Sequence, residues 1–215
     1  MSATGIWAVV PIKEFAGAKQ RLSARLSPAQ RRELACVMAT AVLTALAAAR
    51  GLAGIAVVTI DPEATALANS FGARIITDGA RDGHTGAVDG ARRTLSAEAG
   101  ILTLPGDIPL VTAEEIEALL AATGPAPAFT IVPAHDKLGS NAVLCVPPLL
   151  VPLRFGEDSY YPHLAAARAA GIEPSIVELP GIGMDIDHPA DIYRFLGMPQ
   201  SFGTPTGVLL REFGF

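Results

Sequence analysis

The sequence has very few cysteines and no long apolar segment. Only two cysteines occur among 215 residues, Cys36 and Cys145, and both stand in apolar stretches without metal-ligand spacing. We expect two small core residues rather than a disulfide, in a reducing compartment. No apolar run reaches the roughly 20 residues of a membrane helix, and the first five residues lack the basic start of a signal peptide. The sequence therefore predicts a cytoplasmic protein without a membrane partner.

Charged residues are also scarce, at 17% of the chain, and the net charge at pH 7 is −5. A nucleic-acid surface normally carries a basic stripe, so we expect no nucleic-acid partner. The phosphate-binding P-loop is missing as well, because Gly17 stands alone after the first apolar run without the required spacing. An anionic ligand would therefore need locally gathered cations or a bound metal.

What the sequence does contain is an alternation of short apolar runs with amphipathic runs. Strand-like runs lie at 6–10, 55–60, 74–77, 101–104, 129–132, 141–146 and 176–179. Helical patterns lie at 27–51, 62–70, 85–98, 112–121 and 160–170, and a short one opens at 189. This alternation predicts right-handed crossovers, a mostly parallel sheet and helices on both faces. The expected fold is a single-domain, three-layer αβα structure covering residues 1–215.

Two helix starts carry the signature of a capping box, in which side chains satisfy the first backbone N–H groups. Ser27 is followed by Gln30, and Thr112 is followed by Glu115. Residues 197–215 instead read as a tail rich in Gly and Pro. Because this tail is apolar, we expect it to pack on its own domain or to form a homodimer contact through Leu209, Leu210 and Phe213.

Three segments follow strand ends, where open α/β sheets bind their ligands. The first is the loop of residues 11–22, which carries Lys13, Lys19 and Arg21. These cations could surround a triphosphate and stabilise a pyrophosphate leaving group. The alternative is an ordinary solvated loop, since lysine and arginine are common on surfaces.

The other two segments are acidic. Asp107 stands between two prolines just past a strand, and Asp185 and Asp187 precede the last helical pattern. Carboxylates held at strand ends suit Mg²⁺, which usually takes one or two of them together with substrate phosphates. The alternative for each is turn or capping chemistry, although Thr112 already caps the helix after Asp107 and Asp191 can cap the last one.

Two weaker segments could bind an anion. Ser140 follows a glycine before a strand, while Gly156 and Ser159 precede a helix, whose N-terminus attracts negative charge. His163 lies one turn into that helix, on the face of Ser159. It could hydrogen-bond a substrate carboxylate, although a lone histidine is more often structural.

These segments, in this order, resemble the guanylyltransferase family of coenzyme F-420 biosynthesis, which acts on 2-phospholactate, phosphoenolpyruvate or 3-phosphoglycerate. The matching stretches are VPIKEFAGAKQRLSARLSPAQRREL, LPGDIPLVTAEEI, GSNAVL, FGEDSYYPHLAAARAAG and LPGIGMDIDHPADI. The resemblance implies a glycosyltransferase-A-like nucleotidyltransferase fold and the use of GTP. It places Lys13, Lys19 and Arg21 on the nucleotide phosphates, Asp107 with one or both of Asp185 and Asp187 on Mg²⁺, and Ser140, Gly156 and Ser159 on the acid's carboxylate.

The sequence departs from the family pattern in three places, of which the mildest is Ser140, which stands where the family has threonine in Gly-Thr-Asn and keeps a hydroxyl. Residues 83–86 read Gly-His-Thr-Gly where a Gly-Leu-Asn segment is usual, close to where related folds hold the base. We expect backbone groups at Gly83 and Gly86 to recognise guanine, since small residues allow close approach of the main chain. The alternative is that the family's asparagine recognises the base, in which case its absence here relaxes the selectivity for guanine. His188 replaces the usual threonine cap before Pro189, which weakens the capping.

Three alternatives remain open at this point. A molybdenum-cofactor cytidylyl- or guanylyltransferase shares the fold type, but normally has a Gly-rich loop after the first strand, which residues 9–13 lack. A glycosyltransferase that uses a nucleotide sugar is the second alternative. The third is a nucleotide-sensing or assembly module without catalysis, which would give the charged segments no reason to match catalytic motifs.

Overall fold

A single sheet of seven strands forms the centre of this computed structural model, which describes residues 5–156 and 158–215. The strands are β1 Ile6–Pro11, β2 Leu52–Val58, β3 Arg74–Ile76, β4 Gly100–Thr103, β5 Ala128–Pro133, β6 Ser140–Val146 and β7 Ser175–Ile176. Their order across the sheet is β3-β2-β1-β4-β6-β5-β7. Strand β6 runs antiparallel to both neighbours and the other pairs are parallel. The first residue of β6, Ser140, therefore lies at the edge where the other strands end.

Helices cover both faces of this sheet. They are α1 Pro28–Ala48, α2 Pro62–Ser70, α3 Gly83–Thr94, α4 Ala113–Ala121, α5 Tyr160–Ala169, α6 Pro180–Gly183, α7 Pro189–Gly197 and α8 Pro205–Glu212. Ala8 and Val10 of β1 pack with α1, α2 and α4, whereas Val9 packs with α3 and α5. Alternate residues of a strand point to opposite faces, so this division confirms the predicted three-layer αβα fold.

The predicted capping boxes have different outcomes. Ser27 and Gln30 form the full box, with N···O distances of 3.3 and 2.9 Å. Thr112 accepts the N–H of Glu115 at 3.2 Å, but the Glu115 carboxylate binds Gly181 and Ile182 instead. The second box was therefore wrong, because the Glu115 carboxylate accepts from the first N–H groups of α6 and not from the local backbone. The strand predicted at 176–179 is also shorter, since α6 begins at Pro180.

The C-terminal residues do not form a tail. A 3-10 turn at Pro199–Ser201 leads into α8, whose Thr204 caps it by accepting the N–H of Gly207. Leu210 is fully buried and Leu209 nearly so, in a cluster formed with α1 and α7. The expectation that Leu209 and Leu210 anchor a dimer was therefore wrong, because their apolar surface is already covered by their own domain. Phe213 packs partly on the same cluster.

The remaining sequence expectations concern cysteines and membranes. Cys36 and Cys145 are both free, Cys145 is fully buried and Cys36 packs against the core. Within the described residues, no helix has the length and hydropathy to cross a membrane. The first four residues, part of the expectation about a signal peptide, lie outside the described part of the chain.

Candidate active site

Two adjoining cavities open at the edge where the parallel strands end. The loop cavity, of about 440 Å³, is bordered by Pro11 at the end of β1, by most residues of the following loop up to Arg21, and by Gly83 of α3. The serine cavity, of about 600 Å³, is bordered by Ser140, Gly156 and Ser159. The two cavities share the wall residues Lys13, Arg21, His84, Pro105, Asp107 and Asp187. This shared wall therefore joins most of the charged residues that the sequence singled out.

Lys19 joins two of the predicted acidic residues directly. Its ammonium lies 2.5 Å from an oxygen of Asp107 and 2.7 Å from an oxygen of Asp187. The side chain of Lys19 is only 8% exposed, and Arg21 contacts the other oxygen of Asp187 at 3.4 Å. The sequence placed Lys19 on nucleotide phosphates, whereas here it bridges the carboxylates. Asp107 and Asp187, which lie 88 and 168 positions from Lys19 in the chain, thus meet at its side-chain nitrogen.

Backbone contacts hold these groups in place. The N–H of Ile186 donates to the carbonyl of Asp107 at 3.2 Å, which ties the two acidic segments together. The loop after β1 is anchored by Asp61, which accepts the N–H of Phe15 at 2.8 Å and also caps α2. Lys19 itself has a φ of +53°. This left-handed conformation is rare for lysine and is sustained by the contacts of its side chain.

The charges at the shared wall shift one another's proton affinity. Burial acts to lower the pKa of Lys19, but Asp107 and Asp187 outweigh it, so the pKa lies above its ordinary value. Burial acts to raise the pKa of Asp187, but Lys19 and Arg21 outweigh it, so that pKa is lowered. Burial raises the pKa of Asp185, with the neighbouring aspartates adding to it. Asp187 is therefore the carboxylate held in its charged form by its neighbours.

Asp185 lies on the serine-cavity side of this group. Asn141 donates to it from its side-chain nitrogen at 3.0 Å and also binds the carbonyl of Ile182. His135 lies 3.5 Å from the same carboxylate oxygen. Asn141 thereby orients Asp185, a role that the neighbouring Gly-Ser-Asn turn did not reveal in the sequence.

The donor set suits a hard divalent cation that also binds substrate. In the described part of the chain, no three His, Cys, Asp or Glu side chains gather as a complete metal cage. Asp107 and Asp187 nevertheless share one cationic group, Lys19, within 2.7 Å. Mg²⁺ is normally held by one or two carboxylates plus phosphates and water. The pair therefore fits Mg²⁺ bound together with a nucleotide better than a closed zinc site.

A network of partly buried hydrogen bonds lies beside the serine cavity. The N–H of Ser140 donates to the hydroxyl of Ser159 at 3.0 Å, and the two hydroxyl oxygens lie 3.3 Å apart. The Nδ1 atom of His163 lies 3.0 Å from the hydroxyl oxygen of Ser140. Burial, with smaller effects from nearby cationic groups, lowers the pKa of His163 to about 4. The ring is therefore neutral at pH 7.

The start of α3 forms the wall between the cavities. The rings of His84 and Phe155 lie 4.5 Å apart, and the hydroxyl of Thr85 accepts the N–H of Phe155 at 2.9 Å. Gly83 has a φ of +74° and open space where a Cβ would lie, so it can approach a ligand closely. Gly86 was expected to do the same but borders neither cavity. A Cβ there would lie 2.3 Å from Cβ of Asp82, so loop packing explains this glycine.

The predicted site residues thus come together with that one exception. Lys13, Lys19, Arg21, Asp107 and Asp187 line the loop cavity, and Ser140, Gly156, Ser159 and Asp185 line the serine cavity. Asp191 caps α7 as expected, since it accepts the N–H groups of residues 187 and 188. The sequence did not predict the supporting roles of three residues: Asp61 anchors the cationic loop, Asn141 orients Asp185, and Glu115 binds the start of α6.

The sequence of this chain is similar to proteins of one known family. Residues 6–215 match the family described as "Guanylyl transferase CofC like". The phosphoenolpyruvate guanylyltransferase of Rubrobacter xylanophilus is 37% identical over 190 residues, which cover 88% of this chain and 92% of that protein. The protein of the same name from Roseiflexus castenholzii is 35% identical over 208 residues, covering 97% and 95%.

A solved nucleotidyl transferase from Methanothermobacter thermautotroptrophicus shows the same fold. It superposes with a TM-score of 0.61 and covers 97% of this chain and 99% of its own, at 19% sequence identity. This likeness confirms the expected glycosyltransferase-A-like nucleotidyltransferase fold.

Proposed function

This chain belongs to the CofC-like guanylyltransferase family, and we propose that it transfers GMP from GTP to phosphoenolpyruvate, releasing pyrophosphate. Curated relatives named phosphoenolpyruvate guanylyltransferase match most of the chain. The product would serve the biosynthesis of coenzyme F-420, as the resemblance implies. 2-Phospholactate and 3-phosphoglycerate are the other candidate acceptors, because all three acids carry a phosphate and a carboxylate.

The observation that carries this proposal is the pair of cavities with a common charged wall. A reaction that joins two phosphorylated molecules needs two binding volumes that meet where the new bond forms. In our proposal GTP occupies the loop cavity and the acid occupies the serine cavity, with its carboxylate at Ser140, whose hydroxyl oxygen also accepts the Ser159 hydroxyl. Lys13 and Arg21 border both cavities, so either phosphate could reach them.

The reaction requires no covalent intermediate with the protein. A phosphate oxygen of the acid attacks the α-phosphorus of GTP, a new P–O bond forms, and the bond to the β-phosphate oxygen breaks. The pyrophosphate takes the electron pair of that bond. A general base is unnecessary because a phosphate at pH 7 is already largely ionised and nucleophilic. Lys13 and Arg21 hold the phosphates in line and offset the charge of the departing pyrophosphate.

Asp107 and Asp187 are the residues that would hold Mg²⁺, with Asp185 close by on the serine-cavity side. When bound, this cation would supply electrostatic stabilisation of the phosphate charges. Lys19 keeps the two carboxylates close to one another. It thereby preserves the spacing of the pair and lowers their mutual repulsion.

Pyrophosphate release tests this function over four nucleotides and three acids. We expect GTP with phosphoenolpyruvate to give the highest kcat/KM, and GTP to exceed ATP, CTP and UTP by about 100-fold or more. A site that hydrogen-bonds guanine leaves its own groups unpaired with other bases. In our proposal the backbone of Gly83, which borders the loop cavity, contributes to this recognition.

The outcomes also separate the alternatives. A clear preference for CTP would move the protein to the cytidylyltransferases. Cleavage of a nucleotide sugar would move it to the glycosyltransferases. Nucleotide binding without any turnover would favour a sensing module. The variant Phe202→Ala serves as a control for the assay, because Phe202 is 80% exposed and borders neither cavity.

A further inference from the structure

The hydrogen bonds of His163 determine which of its nitrogens carries the proton. The backbone N–H of Arg154 donates to Nε2 of His163 at 3.0 Å. A backbone N–H can only donate, so Nε2 is the acceptor and holds a lone pair. In a neutral imidazole the proton then resides on Nδ1. Because the side chain is 1% exposed, water does not compete for either nitrogen.

This tautomer also determines the direction of the hydrogen bond at Ser140. The Nδ1–H group of His163 must donate to the Ser140 hydroxyl oxygen, 3.0 Å away. The Ser159 hydroxyl donates to the same oxygen at 3.3 Å. Among the described residues, none accepts the Ser140 hydroxyl proton. That proton is therefore the donor that Ser140 offers to the serine cavity, which Ser140 borders.

We propose that His163 is a positioning residue that makes Ser140 a hydrogen-bond donor to the carboxylate of the acceptor acid. This inference rests on the proposed function, because the acid is taken to bind in the serine cavity. A hydroxyl can ordinarily donate or accept. With two donors already directed at its oxygen, Ser140 favours an anionic group over one that would itself donate. His163 thereby selects a carboxylate without contacting it.

The first test is the tautomer itself, measured in the ligand-free wild-type protein. The chain has only four histidines, so long-range ¹H–¹⁵N spectra can resolve each ring. We expect His163 to show a protonated Nδ1 and an unprotonated Nε2 throughout pH 5.5–8. Phosphoenolpyruvate should shift the Nδ1 proton, and vinyl phosphate, which lacks the carboxylate, should not. A proton on Nε2, or equal shifts with both compounds, would overturn the inference.

A pair of variants separates hydrogen-bond direction from packing. Asn places an amide nitrogen near the position of Nδ1, so His163→Asn can still donate to Ser140. Gln places its amide near the position of Nε2, so His163→Gln can retain Arg154 but not Ser140. We expect the KM for phosphoenolpyruvate to rise about tenfold or more in His163→Gln and at most about threefold in His163→Asn. The KM for GTP should change in neither variant.

Equal effects of the two variants, or a parallel change in the KM for GTP, would contradict the role. A double-mutant cycle tests whether His163 acts through Ser140. If it does, His163→Gln should raise the KM for the acid no further in a Ser140→Ala background. Additive effects would show that His163 does not act through Ser140. Should wild type release no pyrophosphate with any of the three acids, the proposed function fails, whereas the spectra still decide the role of His163.

Discussion

The loop cavity and the serine cavity differ in the side chains that line them outside their shared wall. The loop cavity presents long charged side chains, with Lys13 and Arg21 exposed and Lys19 balanced between two carboxylates. Beyond the shared wall, the serine cavity is bordered by Asp136, Asp185 and Asp191 and by short polar groups whose partners are fixed, of which Ser159 is 2% exposed. Charge acts over distance and tolerates movement, whereas a hydroxyl donor acts only at a defined distance and angle. We infer that the loop side attracts and neutralises phosphates while the serine side selects the acid.

The largest expected effect comes from removing a carboxylate of the shared wall. Asp107→Asn should lower kcat/KM by roughly 100- to 1,000-fold, because the lost charge stabilisation is worth several kcal/mol. The melting temperature should stay close to that of wild type, since Lys19 keeps Asp187 as its partner. Pyrophosphate release over a Mg²⁺ titration measures the effect.

Asp78→Asn is the matched control, because Asp78 pairs with Arg93 at the surface and borders neither cavity. It should turn over like wild type. Near wild-type activity of Asp107→Asn at limiting Mg²⁺ would show that the cation lies elsewhere.

The charged side of the site was largely predictable from the sequence, and for a physical reason. Strand-and-helix alternation places residues after parallel strands at one edge, so Lys13 and Asp107 had to converge there. The bridging role of Lys19 was not predictable, because it depends on where a long, flexible side chain ends. Glu115 was misassigned for a related reason, since its local partner lost to donors 66 and 67 residues away.

For the serine cavity, the sequence predicted which residues take part but not how they hydrogen-bond to one another. Ser140, Ser159 and His163 were singled out, but the direction of their hydrogen bonds depends on the backbone N–H of Arg154. No spacing rule reports that contact, because Arg154 precedes the helix that carries His163. The C-terminal helix shows the same limit, since its apolar pattern fits a dimer contact as well as burial in its own domain.

The next prediction concerns acid stability on the serine side. The pKa of His163 is lowered to about 4, first by burial and then by Arg92, His84 and Arg154. The unfolded chain binds this proton below about pH 6.5, while the folded protein does not until about pH 4. The free energy of unfolding should therefore fall as the pH drops from about 6.5 to 4, by roughly 1.4 kcal/mol per pH unit for one such proton.

Urea unfolding at several pH values checks this slope. The variant His163→Asn has no titrating group at this position, so its slope between pH 4 and 6.5 should be shallower than that of wild type. At pH 7.5 the comparison gives the cost of the substitution alone. Parallel curves for the two proteins would show that the pKa of His163 is the same in the folded and unfolded states.

The smallest effect is expected where the two cavities are joined. Thr85 accepts the N–H of Phe155 at 2.9 Å and donates to the Phe155 carbonyl at 3.3 Å. Its side chain thereby holds the segment before Gly156 against the start of α3. Thr85→Val keeps the shape but removes the hydroxyl, which leaves the Phe155 N–H without its partner at a cost of about 1–3 kcal/mol in stability.

We expect the KM for phosphoenolpyruvate in Thr85→Val to rise about threefold to tenfold, the range that corresponds to one neutral hydrogen bond. The KM for GTP should stay within about twofold, because Phe155 and Gly156 border only the serine cavity. Thr85→Ser retains the hydroxyl and should behave like wild type in both constants. If Thr85→Val changed the KM for GTP as much as that for the acid, the wall would couple the two cavities. The division between an attracting side and a selecting side would then be incorrect.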